Sequence, residues 1–255
     1  MIDLHCHLLP GIDDGASDQA DSLAMLQAAF DEGIRTIVAT AHYNNKYNNE
    51  KLCILNKVQE LQLLANAKQM DIEIVPGQEV LVYGKLIEDY QAGKLLTIGN
   101  GSRYMLVEFS SGHVPHYAGQ LLYNMELQGL KPVIVHPERN AGIMENPDRL
   151  YKLVEKGALT QITASSIIGR FGKKVQRFTY ELIEAHLVHV IASDAHDIAS
   201  RGFGMRRAFR EIKARYGSDC VKYFQENAQS IINNQIIYPE QPEHVIKKKF
   251  LGIFK

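Results

Sequence analysis

Histidines and carboxylates stand where this chain's apolar runs stop. His5 and His7 close the run at 2–4, His42 lies beyond the run at 34–38, Glu79 beyond 72–75, Glu108 beyond 104–107, His136 beyond 132–135, and Asp194 with His196 beyond 188–192. Asp14, in the GIDDG turn at 11–15, is a ninth candidate, with Asp13 beside it as the alternative. Five imidazoles, four carboxylates and no thiolate suit Mn, Fe or Zn with positions left open for water and substrate, not a structural cysteine site. Nine ligands are too many for one ion and suit three if a carboxylate bridges. Three divalent ions against four carboxylates leave a positive excess that a phosphate balances. Ions about 3.5–4 Å apart activate a bridging hydroxide and flank an in-line displacement at phosphorus. Arg139, in HPER at 136–139, and Arg201, shortly after His196, carry planar forks that match phosphate oxygens.

Such chemistry needs elements that bring distant residues to one place. Short apolar runs read as buried parallel strands, and 159–163, which ends in no ligand, makes a seventh. On a strand His5 and His7 point to one side and Cys6 to the other, a geometry Asp194 and His196 repeat. Helical periodicity fills the gaps at 18–32, 50–69, 116–128, 174–186, 204–216 and 219–233. The first of these has Ser17 or Asp18 as N-cap, Gly33 at its stop, and Leu23, Leu26 and Phe30 on one face. Asn146, Pro147 and Gly157 bracket another helix with Leu150, Leu153 and Val154 as its buried stripe. Alternating strands and helices predict an α/β fold, a distorted seven-stranded (β/α) TIM-like barrel with the metal site at the C-terminal end of its strands. An open doubly wound sheet would concentrate ligands at one switch point instead. There is no G-x-G-x-x-G or Walker loop.

The 255 residues, 45% of them apolar, are enough for a single domain spanning 1–255 with a short basic and apolar tail from about 243. A net charge of −1 gives no general case for nucleic acid. Cys6, Cys53 and Cys220 have no C-x-x-C spacing, the start MIDLHCH has no signal-peptide pattern, and no apolar run nears the roughly 20 residues that span a bilayer. The expectation is a reduced, cytoplasmic protein. A thiolate phosphatase needs C-x5-R, yet Ile12, Gln59 and Glu226 stand at the arginine position after the three cysteines. His113 and His116 read as a solvated loop, and His186, His189 and His244 as structural or exposed. Tyr47 and the other scattered tyrosines read as core or rim anchors. The tail KKKFLGIFK at 247–255 suits weak contact with the inner face of the plasma membrane, or docking on the barrel or on a second subunit in a homo-oligomer.

Ordered motifs along nearly the whole chain carry a resemblance: IDLHCHLLPGIDDGA at 2–16, ATAH at 39–42, PGQE at 76–79, RYMLVEF at 103–109, HPERN at 136–140, QITASSIIGRFGK at 161–173 and ASDAH at 192–196. The chain resembles the polymerase-and-histidinol-phosphatase (PHP) superfamily, and within it the manganese-dependent protein tyrosine phosphatases of capsule and exopolysaccharide clusters, the CpsB/CapC/YwqE type. That resemblance implies three Mn2+ ions: one on His5, His7, Glu79 and Asp194, a second on Glu79, Glu108 and His136, a third on Asp14, His42 and His196, with Glu79 bridging. It implies that Arg139 and Arg201 contact phosphate, and that the substrate is phosphotyrosine on a bacterial tyrosine autokinase. Ala41-His42-Tyr43, where relatives often have P-H-H, and Ser110, where they often have Pro, alter the substrate rim and not the ligands. Competing readings are a histidinol-phosphatase type of phosphomonoesterase, a metal-dependent nuclease, and a non-catalytic kinase-binding scaffold.

Overall fold

The computed structural model describes residues 1–246. Among these, seven strands run parallel in the order of the chain: β1 Ile2–Cys6, β2 Thr36–Tyr43, β3 Glu73–Leu81, β4 Tyr104–Glu108, β5 Lys131–Val135, β6 Leu159–Thr163 and β7 Val190–Ala192. The seam is drawn together at the C-terminal end, where Cys6 bridges to Ala195, Asp194 N donates to His5 O (2.9 Å) and His7 N to Ala195 O (2.9 Å). Below it, Asp3 Oδ1 accepts from Ser193 N (2.8 Å). The result is a nearly closed seven-stranded α/β barrel of TIM type.

Period-two alternation explains why this barrel has one packed interior and one polar mouth. Leu4, Val38, Val75, Leu106, Val133, Leu159 and Val190, one from each strand, form the interior cluster. Following each inward row up its strand leads from Val38 through Thr40 to His42, from Val75 through Gly77 to Glu79, from Leu106 to Glu108, from Leu159 to Gln161, and from Val190 through Ala192 to Asp194. β1 departs from this pattern. A register shift between Asp3 and Cys6 lets Leu4 pack inside while His5, the next residue, also reaches the mouth. Thr40 Oγ1 accepts from Cys6 N (3.0 Å) and donates to Cys6 O (3.3 Å), tying β2 to that irregular stretch.

The outward faces pack under ten helices: α1 Gln19–Asp31, α2 Lys51–Ala67, α3 Leu86–Gln91, α4 Ala118–Leu127, α5 Ala141–Glu145, α6 Asp148–Glu155, α7 Ala164–Ile167, α8 Lys173–Glu184, α9 Met205–Tyr216 and α10 Ser218–Ile232, as counted among the described residues. α10 closes the N-terminal end of the barrel with Ala228 and Ile231. The expected helices lie within about two residues of their spans. α3, α5 and α7 are too short to show a period. Two expectations are corrected. The fully buried residues of α1 are Ser22, Met25, Leu26 and Ala29; Leu23 is half-buried against the same core, and Phe30 instead carries the Arg35 guanidinium 3.8 Å from its ring centre. β3 does not stop at Val75 but runs through Pro76 and Gly77, pairing with β2 along its whole length. Gly77 permits this, because a Cβ there would lie 2.6 Å from Val38 Cγ1.

Candidate active site

The nine side chains singled out in the sequence all reach the C-terminal mouth, arranged around Glu79. His5 Nε2 and His7 Nε2 are 3.1 Å apart and each 3.2 Å from Glu79 Oε2, with Asp194 Oδ1 at 3.5 and 3.6 Å. Glu79 Oε1 faces the other way, 2.8 Å from His136 Nε2, and Glu108 Oε1 lies 3.8 Å from that same nitrogen. Asp14 Oδ1 is 3.4 Å from both His42 Nε2 and His196 Nε2, and His42 Nδ1 is 3.1 Å from Glu79 Oε2. Among the described residues, three sets of donor atoms are close enough to hold a cation: His5, His7 and Glu79; His42, Glu79 and Glu108; and His7, Asp14, His42 and His196.

Three of the five imidazoles are aimed by partners behind them. Gln161 Oε1 accepts from His5 Nδ1 (2.8 Å), its own Nε2 being committed to Ile162 O (2.8 Å). Asp13 Oδ2 accepts from His7 Nδ1 (2.8 Å), and the Asp194 carbonyl from His196 Nδ1 (3.0 Å). Each arrangement leaves Nε2 free to face the centre. The two aspartates of the GIDDG turn thus separate by role. Asp13 is turned inward, also accepting from Gly15 N (3.0 Å) and His42 N (3.2 Å), whereas Asp14 extends over the two outer histidines. The turn lies so close to β1 that a Cβ on residue 15 would sit 1.9 Å from His7 O. His136 (φ 36°) and Asp194 (φ 53°) hold left-handed backbone at the ends of β5 and β7, uncommon for residues other than glycine and found at functional sites.

This much buried charge fixes the electrostatics. Burial pushes His7 down, yet Asp13 and Glu79 raise it to about 9; burial likewise lowers His42, and Glu79, Asp14 and Glu108 raise it to about 9. Burial would raise Glu79, but His5, His42 and His136 hold its carboxyl well below the usual range. Glu108 is pushed up by burial and by Glu79. The mouth is a negative site that attracts positive charge, whether protons or metal. Among the described residues His42 Nδ1, Glu79 Oε2 and His196 Nε2 are buried with no hydrogen-bond partner, and mixed nitrogen and carboxylate donors of this kind fit divalent cations.

Above these donors opens a cleft of about 520 Å3. Phe109, Val135 and Pro137 form its apolar wall, and Ser111, Asn140, Arg139 and Arg201 its polar rim. Arg139 Nη2 is bonded to Asp194 Oδ2, and its guanidinium lies over the Phe171 ring at 4.8 Å. Arg201 Nη2 is 3.4 Å from the same carboxylate oxygen and Nη1 is 3.7 Å from Asp14 Oδ2.

Residues 1–233 match the family described as "Capsular polysaccharide synthesis, CpsB/CapC". The chain belongs to the CpsB/CapC family. It is 44% identical over 255 residues, all of both chains, to the tyrosine-protein phosphatase YwqE of Bacillus subtilis (strain 168), and 31% identical over 244 residues, 93% of this chain and 100% of the other, to the tyrosine-protein phosphatase CpsB of Streptococcus pneumoniae. A solved chain from crystal structures of YwqE and CpsB, described as metal-dependent tyrosine phosphatases, superposes with a TM-score of 0.95 at 44% identity, covering 97% of this chain and 100% of that one. A β-aspartyl dipeptidase from Fervidobacterium islandicum AW-1 shares the fold alone, with a TM-score of 0.55 at 14% identity over 93% of this chain and 74% of that one.

In this CpsB/CapC chain the remaining histidines stay away from the mouth's donor groups. His186 pairs with Glu240, His244 with Asp148 (2.9 Å), and buried His189 accepts from Thr160 N through Nδ1 (3.0 Å). His113 is exposed and bonded to Ser110 Oγ (3.1 Å). Ser165 and Ser166 are buried, and Ser166 Oγ donates to Glu138 Oε1 (2.6 Å). Sequence reasoning missed Gln161, while Tyr47, expected as a core or rim anchor, stacks its ring on His42 (5.9 Å, 7°). Gln161 had a signal: it continues the inward row of β6. Among the described residues no helix is long and apolar enough to cross a membrane. The tail at 247–255, for which membrane or subunit contact was expected, lies outside the described residues.

Proposed function

We propose that this chain is a metal-dependent protein tyrosine phosphatase of capsule or exopolysaccharide synthesis, acting on phosphotyrosine in a bacterial tyrosine autokinase. The observation that carries it is Glu79, whose two oxygens face separate donor groups beneath a cleft edged by two arginines. In this reading His5, His7, Glu79 and Asp194 hold one ion, Glu79, Glu108 and His136 a second, and Asp14, His42 and His196 a third, with Mn2+ the metal of choice. Bound ions lower the pKa of water and draw charge from phosphoryl oxygens. The protein's own part is to place the ester. Arg139, held by Asp194 and Phe171, and Arg201 present forks to the non-bridging oxygens and stabilise the charge that builds there during transfer. The phenyl ring meets Phe109 and Pro137. The leaving phenolate, with a conjugate-acid pKa of about 10, departs into the open mouth.

Both alternatives to this chemistry lack residues. Buried Cys6 has its thiol pushed well up, and no cysteine lines the cleft, so a thiolate nucleophile has no candidate there. A histidinol phosphatase needs a carboxylate for the substrate amine, yet the four carboxylates lining the cleft, Asp14, Glu79, Glu108 and Asp194, already face histidines or arginines. The test compares a phosphotyrosine peptide, histidinol phosphate and a dinucleotide, using metal-stripped protein with Mn2+ restored and His136→Ala as control. Peptide turnover that requires Mn2+ and disappears in the variant is expected. Cleavage of either other substrate with the peptide untouched would overturn the substrate assignment.

A further inference from the structure

The loop between α7 and α8 ties the two cleft arginines together from outside. Phe171 lies under the Arg139 guanidinium, and Arg170 Nη1 donates to the carbonyl of Gly202, the residue after Arg201 (3.1 Å). The chain then enters α8, which lies against the Pro137–Arg139 turn, through Lys173 and Lys174. Arg170 and both lysines are exposed. α8 makes its ion pairs further along, Arg177 with Glu181 and Glu184 with Arg215, and neither lysine joins an ion pair among the described residues. The first turn of α8 has no acidic residue, so its lysines face the positive end of the helix dipole, where they oppose helix formation. In a chain whose net charge is −1, this is a local concentration of cations, of which Arg170 alone makes a tertiary hydrogen bond and the two lysines have no evident part in holding the fold.

We propose that residues 170–174 form a substrate-recognition edge that reads acidic side chains flanking the phosphorylated tyrosine. The inference rests on the phosphatase reading and narrows its substrate class. With the phosphate between Arg139 and Arg201, the peptide backbone leaves the cleft over Phe171, and carboxylates near the phosphotyrosine meet Arg170, Lys173 and Lys174. The carboxylates of the mouth do not compete, because they face histidines or the cleft arginines. The contact is exposed, so it acts on encounter and KM more than on the chemical step, and salt weakens it.

The experiment measures kcat/KM for phosphotyrosine peptides of equal length flanked by glutamate, glutamine or lysine, with free phosphotyrosine as a further substrate. It uses the Mn2+-loaded full chain and its Lys173→Glu/Lys174→Glu variant. Expected is a preference for the acidic over the neutral peptide of about tenfold at low salt, shrinking as salt rises, and reversed in the variant. Because the readout is a ratio within each protein, a general loss of activity does not imitate it. Equal turnover of all three peptides, or a preference that survives charge reversal, overturns the recognition edge. If free phosphotyrosine is still hydrolysed in that case, the phosphatase reading stands without it. No hydrolysis of any substrate removes both.

Discussion

The hydrogen bonds behind His5, His7 and His196 decide whether the donors at this mouth act together. Gln161 is fully buried and its oxygen fixes His5 with Nε2 toward Glu79. Gln161→Leu keeps the volume and removes the acceptor, and is expected to weaken metal binding about 10- to 100-fold in a direct metal titration while circular dichroism stays unchanged. Unchanged affinity would show that His5 needs no such partner. Asp13 differs in kind, because its charge as well as its geometry acts on His7. Asp13→Asn retains an acceptor oxygen and is expected to lose less affinity than Asp13→Ala, the difference measuring charge against position.

At the scale of elements, the site depends on how strand ends and their loops pack. The GIDDG turn reaches Asp14 over the mouth only by lying directly against His7, with no room for a side chain at residue 15. Gly15→Ala is therefore expected to displace the turn and sharply reduce metal-dependent turnover; activity within twofold of the parent would show that the turn has slack. At the other end of the barrel, buried His189 joins β7 to β6 through Thr160 and to α10 through Asn227, whose Nδ2 donates to its carbonyl (2.9 Å). Burial, with help from Lys131, pushes its pKa from 6.5 down to about 3. The folded value is the lower one, so the unfolded chain takes up a proton first. The stability this group contributes is complete above pH 6.5 and is lost as pH falls from there toward 3. Denaturant titrations should find the loss between about pH 6 and 4 smaller in His189→Gln, by up to about 1.4 kcal/mol per pH unit. Parallel pH profiles would count against a buried neutral imidazole.

Over the whole molecule, the donors at the mouth join the two ends of the fold. His5 and His7 follow from β1, Asp194 and His196 from β7, and the seam between those strands is held by few backbone hydrogen bonds. Metal bound across that seam favours the folded chain alone, by about 4 kcal/mol at a thousandfold excess over Kd. Chelation should therefore lower Tm, and calorimetry at increasing Mn2+ should raise it steadily. A Tm indifferent to both would mean that the ions do not bridge the seam.

The division between what was written in the chain and what folding decided follows from the range of the forces involved. Strand and helix order, the barrel, and the gathering of nine side chains at one mouth were legible because each depends on local periodicity and on the rule that parallel strands end on the same side. Phe30 was misassigned because an amphipathic count does not know that Arg35 will cover it. Asp13 and Asp14 are chemically identical neighbours, and only the approach of the turn to β1 sends one inward and the other over the histidines. The bulge that brings His5 in beside Leu4 depends on Thr40 of the next strand, and the contact of Phe171 with Arg139 spans a gap in sequence that no periodicity describes. Sequence alone determined which chemistry was available; tertiary packing decided which atom of each residue faces it, because orientation is set by hydrogen bonds and contacts between strands that meet only in the closed barrel.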